Sequence, residues 1–299
     1  MNDLINTKAK EIFGINYVFP YQRLVISNTL KSCGYYGEEE KIESLKNQIV
    51  ILPTGAGKSL CFMLPGLILD GVTLIIFPLL SLMADQERRI VDSGGKALVL
   101  KGGVKIPNSV ENDIKFILTN PETLSSKKVL KLLLGVVLSQ VVIDETHTVS
   151  QWGESFRPSY LEVGKHLKTI GAEVITAYTA TASDYIISSV IENIFLKGSV
   201  NVIKGNPDRI NIYYEALPCL NKDEALIDLL RRVETPAIIL HKSRVSTEVI
   251  NRMLVNRLNR DDIVYYHAGL ESSEKQAIEE WFFESNTGIL NATCAYGMA

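Results

Sequence analysis

Residues 53–59 read Pro-Thr-Gly-Ala-Gly-Lys-Ser and indicate a loop that binds phosphate. They follow an apolar run at 49–52, typical of a strand buried on both faces, and they precede a helical pattern. Glycines in such a loop let the backbone wrap around phosphate oxygens, while the N–H groups that open the helix point at the anion. We expect Lys58 to reach the β- and γ-phosphates and the Ser59 hydroxyl to hold Mg²⁺. The candidate nucleotide contacts are Thr54, Gly55, Ala56, Gly57, Lys58 and Ser59.

Two adjacent carboxylates, Asp144 and Glu145, follow a second apolar run at 140–143. Paired acids at the end of a buried strand suit a site for Mg²⁺ and nucleotide, in which Asp144 binds the metal through water. Glu145 is then the candidate base that orients and deprotonates the attacking water. Carboxylates at a strand end can also serve as helix N-caps, but their occurrence with a phosphate loop favours catalysis.

Short β-branched runs alternate with helical patterns, which predicts an α/β fold of parallel sheets flanked by helices. Glycine, asparagine and proline at 197–209 predict a linker, so we expect two domains, 1–204 and 205–299. Strands are predicted at 49–52, 73–77, 97–100, 116–119, 140–143, 173–177, 212–216, 237–240, 263–266 and 288–291. Helices are predicted at 59–69, 79–93, 127–134, 184–194, 222–233, 245–259 and 272–285.

Composition limits the classes of protein to which the chain can belong. Its 299 residues are 46% hydrophobic and 22% charged, which excludes a disordered chain. The net charge of −3 excludes a globally basic protein, so any contact with nucleic acid needs local groups. The four cysteines include no Cys-x-x-Cys pair, so we expect free thiols and no zinc. The longest apolar stretch, 72–83, is shorter than the ~20 residues of a membrane span, and we expect a soluble cytoplasmic protein with no membrane contact.

The residues that follow the two carboxylates indicate a particular protein family. Residues 144–147 read Asp-Glu-Thr-His, and residues 150–160 read SQWGESFRPSY. They resemble the second motif and the aromatic-rich loop of RecQ-family DNA helicases, which belong to superfamily 2 (DExH). Further segments resemble motifs of that family in the same order, at 77–86, 119–122, 179–182, 199–214, 266–270 and 292–298. The resemblance spans the chain and ends within motif V.

This resemblance implies two tandem RecA-like domains, the second incomplete in this sequence. It implies an ATP-dependent DNA helicase core that uses Mg²⁺ and moves 3′ to 5′ along single-stranded DNA. Single-stranded or partially duplex DNA is the expected partner, in the cytoplasm or, in a prokaryote, at the nucleoid. Family members continue with an arginine finger, a group that strongly accelerates phosphoryl transfer. We therefore expect weak or no hydrolysis by this chain alone, and a dependence on C-terminal domains or a larger complex.

The aromatic-rich loop is implied to couple DNA binding to hydrolysis. Trp152 and Phe156 are candidate platforms on which bases stack, with Arg157 as their charged partner. Because the loop follows Glu145 directly, we expect His147 and Gln151 to relay strand contact to the hydrolytic carboxylate.

Residues 13–22 resemble the motif with which the family reads adenine. Gln22 falls at the position of its glutamine, whose amide can bond the N6 and N7 edge of the base. The tyrosine and arginine that sandwich the base in the family are replaced here by Ile15 and Phe19. Tyr17 and Phe19 are the two candidates for stacking in their place.

Two other functions fit the same residues. The chain could be an ATPase that nucleic acid stimulates and that translocates without unwinding, or a nucleotide-sensing module of a larger complex. A strand-separation assay beside an ATPase assay distinguishes the first from a helicase. The presence of Lys58, Asp144 and Glu145 argues against the loss of catalysis that the second implies.

Overall fold

A computed structural model describes residues 3–78, 80–147, 158–181, 183–206, 211–294 and 296 of the chain. The chain divides into two compact units, Met1–Arg209 and Ile210–Ala299. The division falls at the end of the segment that the sequence predicts as a linker. None of the helices in the described residues is long and apolar enough to cross a membrane.

The first unit is built on a sheet of seven parallel strands in the order β3-β4-β2-β5-β6-β1-β7. Its central strands are mostly apolar because both of their faces are covered, as in β2, where every residue is buried. The strands are β1 Asn47–Ile51, β2 Val72–Ile76, β3 Ala97–Val99, β4 Phe116–Thr119, β5 Leu138–Ile143, β6 Ile175–Thr179 and β7 Asn201–Lys204.

Helices cover both faces of this sheet. They are α1 Leu4–Phe13, α2 Pro20–Ser32, α3 Lys58–Ile68, α4 Leu80–Asp92, α5 Pro121–Leu124, α6 Lys127–Leu133, α7 Val163–Thr169 and α8 Asp184–Asn193, with 3₁₀ turns at Glu38–Glu40, Glu43–Leu45 and Pro158–Glu162. One core holds buried side chains of α1 to α4, such as Leu64 and Met83. The other holds those of α5 to α8, such as Leu133 and Leu167. The unit therefore has three layers, helices on sheet on helices.

Strand β7 corrects the prediction that residues 197–209 form only a linker. Val202 and Ile203 pair in parallel register with Ile49 and Val50 of β1, so the segment forms an edge strand before the chain leaves the unit. Its β-branched pair favours this pairing despite the glycines around it. The strand predicted at 212–216 is also wrong, because these residues pair with no strand in the described part of the chain.

The second unit contains a three-stranded parallel sheet in the order β8-β10-β9. Its strands are β8 Ala237–His241, β9 Ile263–Tyr266 and β10 Ile289–Thr293, and its helices are α9 Lys222–Leu230, α10 Arg244–Leu258 and α11 Ser272–Glu284. Side chains of α9 and α10 form one small core with the sheet, and side chains of α11, such as Trp281, form another. This unit thus repeats the layered α/β arrangement of the first.

Parallel strands bring the loops after β1, β2, β5 and β6 to one edge of the first sheet, where α/β proteins bind ligands. Strand β6 lies between β5 and β1. The phosphate loop after β1 is therefore two strand spacings, roughly 10 Å, from the carboxylates after β5. A long side chain is needed to connect them.

We predict that Gly164→Ala destabilises the first unit, because α7 approaches the end of α8 at this glycine. A Cβ there would lie 2.2 Å from the carbonyl oxygen of Asn193 and 2.6 Å from that of Ile194. Backbone atoms must shift, so the free energy of unfolding should fall by about 1–3 kcal/mol in chemical denaturation. Gly102→Ala is the control, because a Cβ at Gly102 meets nothing within 4 Å. Equal stability of the two variants would contradict the close packing of α7 and α8.

Candidate functional site

The phosphate loop joins β1 to α3 in a conformation that depends on two glycines. Gly55 and Gly57 have φ angles of +79° and +71°, in the left-handed region that other residues rarely adopt. Gly57 caps the N-terminus of α3, which begins at Lys58. The first N–H groups of a helix have no intrahelical partner and carry the positive end of its dipole. The loop therefore presents donors and a lysine at the place where a phosphate would bind.

Gln22 lies against this loop and is only 5% exposed. Its Nε2 donates to the carbonyl oxygens of Ala56 and Gly57, at 3.0 and 3.4 Å. Its Oε1 accepts from the backbone N–H of Phe19 at 3.0 Å. A Cβ on Gly57 would lie 2.5 Å from Gln22 Nε2, so the close contact itself requires glycine. The structure thus brings the predicted adenine reader to the loop, where its amide holds the backbone.

Exposed aromatic rings lie next to Gln22. Tyr17 is 60% and Phe19 49% exposed, and their rings meet edge to face at 5.4 Å. Phe19 also stacks on Tyr21 at 5.5 Å, and the Tyr21 hydroxyl donates to Ala56 of the loop at 3.3 Å. The exposed parts of Tyr17 and Phe19 thus lie beside the loop, with one face of Phe19 covered by Tyr21.

A groove of about 420 Å³ borders the loop on the side of α1 and α4. The end of α1 and the segment after it contribute its apolar wall, and Gly57 and Ser59 belong to its rim. The lining residues are Ile12, Phe13, Ile15, Gly57, Ser59, Leu60, Met63, Arg89, Asp92 and Ser93. Ile15, which stands at the family's tyrosine position, therefore contributes an aliphatic surface here.

The two carboxylates follow β5 in a strained turn. The Asp144 N–H donates to Ile76 of β2 at 3.0 Å, and Asp144 Oδ1 accepts from the Glu145 N–H at 3.0 Å. Glu145 has a φ of +47°, which costs on the order of 1–3 kcal/mol for a residue with a side chain. This backbone conformation directs the Glu145 carboxylate toward the phosphate loop, where Lys58 Nζ lies 3.5 Å from Glu145 Oε1.

The charges at this edge change the pKa values of both acids. Burial, and after it the charge of Glu145, raises the pKa of Asp144 to about 6, although Lys58 opposes this. Burial alone would also raise the pKa of Glu145, but the hydrogen bond from His147 and the charge of Lys58 outweigh it and lower that pKa. Glu145 is therefore an ionised carboxylate near neutral pH, while desolvation disfavours the ionised form of Asp144.

His147 connects Glu145 to strand β6. Its Nδ1 lies 3.3 Å from Glu145 Oε2 and 3.3 Å from Thr179 Oγ1. Thr179 Oγ1 donates in turn to the carbonyl oxygen of Thr181 at 2.8 Å. Thr146 is tied to the same strand, because its hydroxyl donates to the Tyr178 carbonyl oxygen at 3.0 Å. The carboxylate turn and the end of β6 thus form one hydrogen-bonded unit.

The chemistry of the donor set fits Mg²⁺. The ion prefers oxygen ligands, and the Ser59 hydroxyl and Asp144 carboxylate supply them next to the phosphate loop. Desolvation, and after it the charge of Glu145, raises the pKa of Asp144, and a cation bound there would oppose both effects. Other predicted contacts, Gln151, Trp152, Phe156 and Arg157, lie outside the described residues.

Sequence reasoning missed a basic cavity of about 890 Å³ beyond the carboxyl ends of β3 and β4. Four lysines line it together with one carboxylate, Glu122; the lysines are Lys101, Lys105, Lys128 and Lys131. Within the described ranges, no carboxylate forms an ion pair with any of them. The lysines come from two segments, the loop after β3 and helix α6, so no single stretch of sequence contains the whole set. The pair of glycines at 102–103 is the local feature that marks the first segment.

In the second unit, His267 is buried against Glu248. His267 Nε2 lies 3.0 Å from Glu248 Oε1, and its Nδ1 accepts from the Gly269 N–H at 3.1 Å. Because Nδ1 accepts, the hydrogen bond to Glu248 is donated by the Nε2 N–H. This arrangement fixes the start of the turn that follows β9.

Comparison with known proteins identifies relatives along the chain. The family model described as DEAD/DEAH box helicase matches residues 19–188. A probable ATP-dependent DNA helicase RecS of Bacillus subtilis is 34% identical over 88% of this chain and 55% of its own length. The ATP-dependent DNA helicase RecQ of Pasteurella multocida is 33% identical over 88% of this chain and 43% of its own length. The chain thus spans about half the length of these relatives, and the resemblance to RecQ helicases is confirmed.

Solved structures with the same fold include distant helicases. DUF1998 helicase MrfA bound to DNA superposes with a TM-score of 0.70 at 18% identity, covering 98% of this chain and 44% of that one. S. cerevisiae Dbp5 bound to RNA and ADP BeF3 gives 0.57 at 15% identity, covering 95% of this chain and 75% of that one. At this identity the likeness concerns the fold, and the predicted RecA-like α/β architecture is confirmed.

We predict that Asp144→Asn stabilises the protein without nucleotide above pH 6. The folded-state pKa of about 6 exceeds the ordinary 3.8, so the folded chain holds this proton while the unfolded chain loses it. Stability therefore falls as pH rises from about 4 to 6, and the asparagine removes this loss. At pH 8 the free energy of unfolding of Asp144→Asn should exceed that of the wild type by about 1–3 kcal/mol. At pH 3.5 the two proteins should have equal free energies of unfolding. A constant difference across this range in urea denaturation would refute the raised pKa.

Proposed function

We propose, since this chain belongs to the DEAD/DEAH box helicase family, that it is the core of an ATP-dependent DNA helicase of the RecQ type. It hydrolyses ATP with Mg²⁺ and couples hydrolysis to 3′ to 5′ movement along single-stranded DNA, in the cytoplasm or at the nucleoid. The first domain, 1–204, supplies the nucleotide-binding wall, and 205–299 belongs to the second. The observation that carries this proposal is the contact of Lys58 with Glu145 beside the phosphate loop.

The proposed reaction is the attack of water on the γ-phosphorus of ATP, which breaks the bond to the β,γ-bridging oxygen and releases ADP and inorganic phosphate. Glu145 orients this water and takes its proton, and its lowered pKa keeps the carboxylate ionised and ready to accept. Lys58 leaves Glu145 for the phosphates, where its charge stabilises the transition state. Ser59 and Asp144 would hold Mg²⁺, which when bound neutralises charge on the phosphate oxygens. Thr54 to Gly57 surround the phosphates through backbone N–H groups.

Base recognition is assigned to the groups around Gln22. Tyr17 and Phe19 expose ring faces next to the loop, and stacking holds a base whatever its hydrogen-bonding edge. Both amide protons of Gln22 face carbonyl oxygens of the loop, and one lone pair of Oε1 remains beyond its contacts with the chain. We assign this lone pair to the amino group of adenine.

Coupling to DNA is proposed to pass through His147. The residues that follow it include Gln151, Trp152, Phe156 and Arg157, which we assign to contacts with the strand. His147 lies 3.3 Å from both Glu145 and Thr179. A displacement of its ring therefore moves the carboxylate of Glu145 and the end of β6 together.

The basic cavity supports a path for the DNA backbone. Its lysines, Lys101, Lys105, Lys128 and Lys131, are exposed and surround a space of about 890 Å³. Phosphate contacts by lysine give affinity that does not depend on sequence, as a translocating enzyme requires. The cavity and the phosphate loop lie at the same carboxyl edge of the sheet, so strand and nucleotide bind within one unit.

Replacement of Glu145, the proposed general base, tests the assignment of the nucleotide site. Glu145→Gln should retain ATP binding, because the amide is nearly isosteric, but it cannot take a proton. We expect phosphate release by the full-length protein with single-stranded DNA to fall by about 10²–10⁴. Lys58→Ala is the comparison variant and should lose binding of fluorescent ATP. Wild-type turnover by Glu145→Gln would exclude Glu145 as the base, and wild-type binding by Lys58→Ala would exclude the phosphate loop.

Charge reversal in the cavity tests the path of the strand. The double variant Lys128→Glu and Lys131→Glu should weaken binding of single-stranded DNA. The plot of log K against log salt has a negative slope, and its magnitude should fall by about 1.4, or about 0.7 per lost contact. Lys197→Glu is the control, because this exposed lysine follows α8 near the opposite edge of the sheet. An unchanged slope in the double variant would remove the cavity from the proposed path.

Strand separation distinguishes the helicase from a translocase that does not unwind. The protein should open a duplex with a 3′ single-stranded tail and fail on one with a 5′ tail. ATPase activity stimulated by DNA without strand separation would favour the translocase.

A further inference from the structure

The side chain of Gln86 is buried next to Ser59. It comes from α4 and is 6% exposed. Its Oε1 accepts a hydrogen bond from the Ser59 hydroxyl at 3.4 Å, and its Nε2 donates to the thioether of Met63 at 3.0 Å. A polar amide in this position calls for an explanation, because an apolar side chain would pack α4 on α3 at lower desolvation cost.

Met63 fixes which end of the amide faces Ser59. Ser59 and Met63 are four residues apart on α3 and lie on the same face of that helix. The thioether sulfur only accepts hydrogen bonds, so it pairs with the NH₂ end of Gln86. The carbonyl oxygen is left for Ser59. An amide turned the other way would place two N–H donors against the hydroxyl and leave the sulfur without a donor.

This orientation suits a serine that binds a cation. A hydroxyl has one proton and two lone pairs, and when a lone pair faces a metal the proton needs another acceptor. Gln86 Oε1 accepts the hydrogen bond from the Ser59 hydroxyl, which leaves the lone pairs of Ser59 Oγ available to a cation. The reversed amide would compete with the cation for these lone pairs. Hydrogen bonds of this kind orient metal ligands and raise their basicity.

We propose that Gln86 is a positioning residue that prepares Ser59 for the Mg²⁺ of the bound nucleotide. The inference rests on the proposed function, because it takes Ser59 as a ligand of that metal. Gln86 touches neither nucleotide nor metal and acts through Ser59. Its loss lowers the affinity of the nucleotide complex for Mg²⁺ and leaves contacts of the loop with phosphate intact.

The Mg²⁺ dependence of nucleotide binding tests this role. A fluorescent ADP is titrated onto the protein in EDTA and at increasing Mg²⁺. We call the Mg²⁺ concentration that gives half of the full change in ADP affinity the Mg²⁺ midpoint. Gln86→Leu should raise this midpoint by about 10-fold or more. Its affinity in EDTA should equal that of the wild type. Gln86→Glu keeps an acceptor for the Ser59 proton and should retain a midpoint near or below that of the wild type.

Two further variants separate positioning from packing. Met63→Leu keeps the volume but removes the acceptor that orients the amide, so we expect a smaller shift in the same direction. Ile90→Val removes one methyl group from the buried face of the same helix and should leave the Mg²⁺ midpoint unchanged. Equal losses of affinity in EDTA and in Mg²⁺ for Gln86→Leu and Met63→Leu would show a packing role and overturn the proposal.

The Lys58→Ala variant separates this inference from the proposed function. If it binds the nucleotide like the wild type, the nucleotide site itself is wrong and the role of Gln86 fails with it. If it loses binding while Gln86→Leu keeps the wild-type Mg²⁺ midpoint, the nucleotide site stands and only the positioning role is overturned.

Discussion

The ion pair of Lys58 with Glu145 is the contact on which the rest of the site depends. Lys58 forms its ion pair with Glu145, and the adjacent carboxylate of Asp144 shares the same charge only at longer range. Glu145 also has His147, so its pKa is lowered, while the pKa of Asp144 is raised to about 6. Burial, and after it the charge of Glu145, disfavours the ionised form of Asp144, which a cation at this edge would favour. Binding of Mg²⁺ with nucleotide would therefore relieve a repulsion that the folded chain maintains at the cost of its own stability.

Strand order explains why β6 is as important as the two strands that carry the motifs. It lies between β1 and β5, and its last residue contacts both neighbours. The Thr179 carbonyl oxygen accepts from the N–H of Leu52 at 3.1 Å, and the Thr179 hydroxyl lies 3.3 Å from His147. A change at the carboxylate turn therefore reaches the entrance of the phosphate loop through one residue. Such a short path needs no large motion, because the groups are already in hydrogen-bonding contact.

Local features of the site could be predicted from the sequence, and long-range ones could not. The phosphate loop and the carboxylate turn follow apolar runs, and their chemistry depends on residues that are adjacent in sequence. The contacts of Gln22 and Gln86 with the loop depend on how α2 and α4 pack, which periodicity does not specify. The lysine cavity joins segments far apart along the chain. Residues 201–204 were predicted as linker because glycines surround them, but the free edge of β1 gives them a partner.

Two buried amides hold the phosphate loop from different helices. Gln22 of α2 binds its carbonyl oxygens, and Gln86 of α4 binds the hydroxyl of Ser59. Gly57 is needed for its φ of +71°, and it also leaves room for the amide of Gln22. The loop therefore combines its own glycines with contacts from two helices outside its sequence. Since Gln86 belongs to α4, a shift of Ser59 toward a metal would act on this helix through the same hydrogen bond.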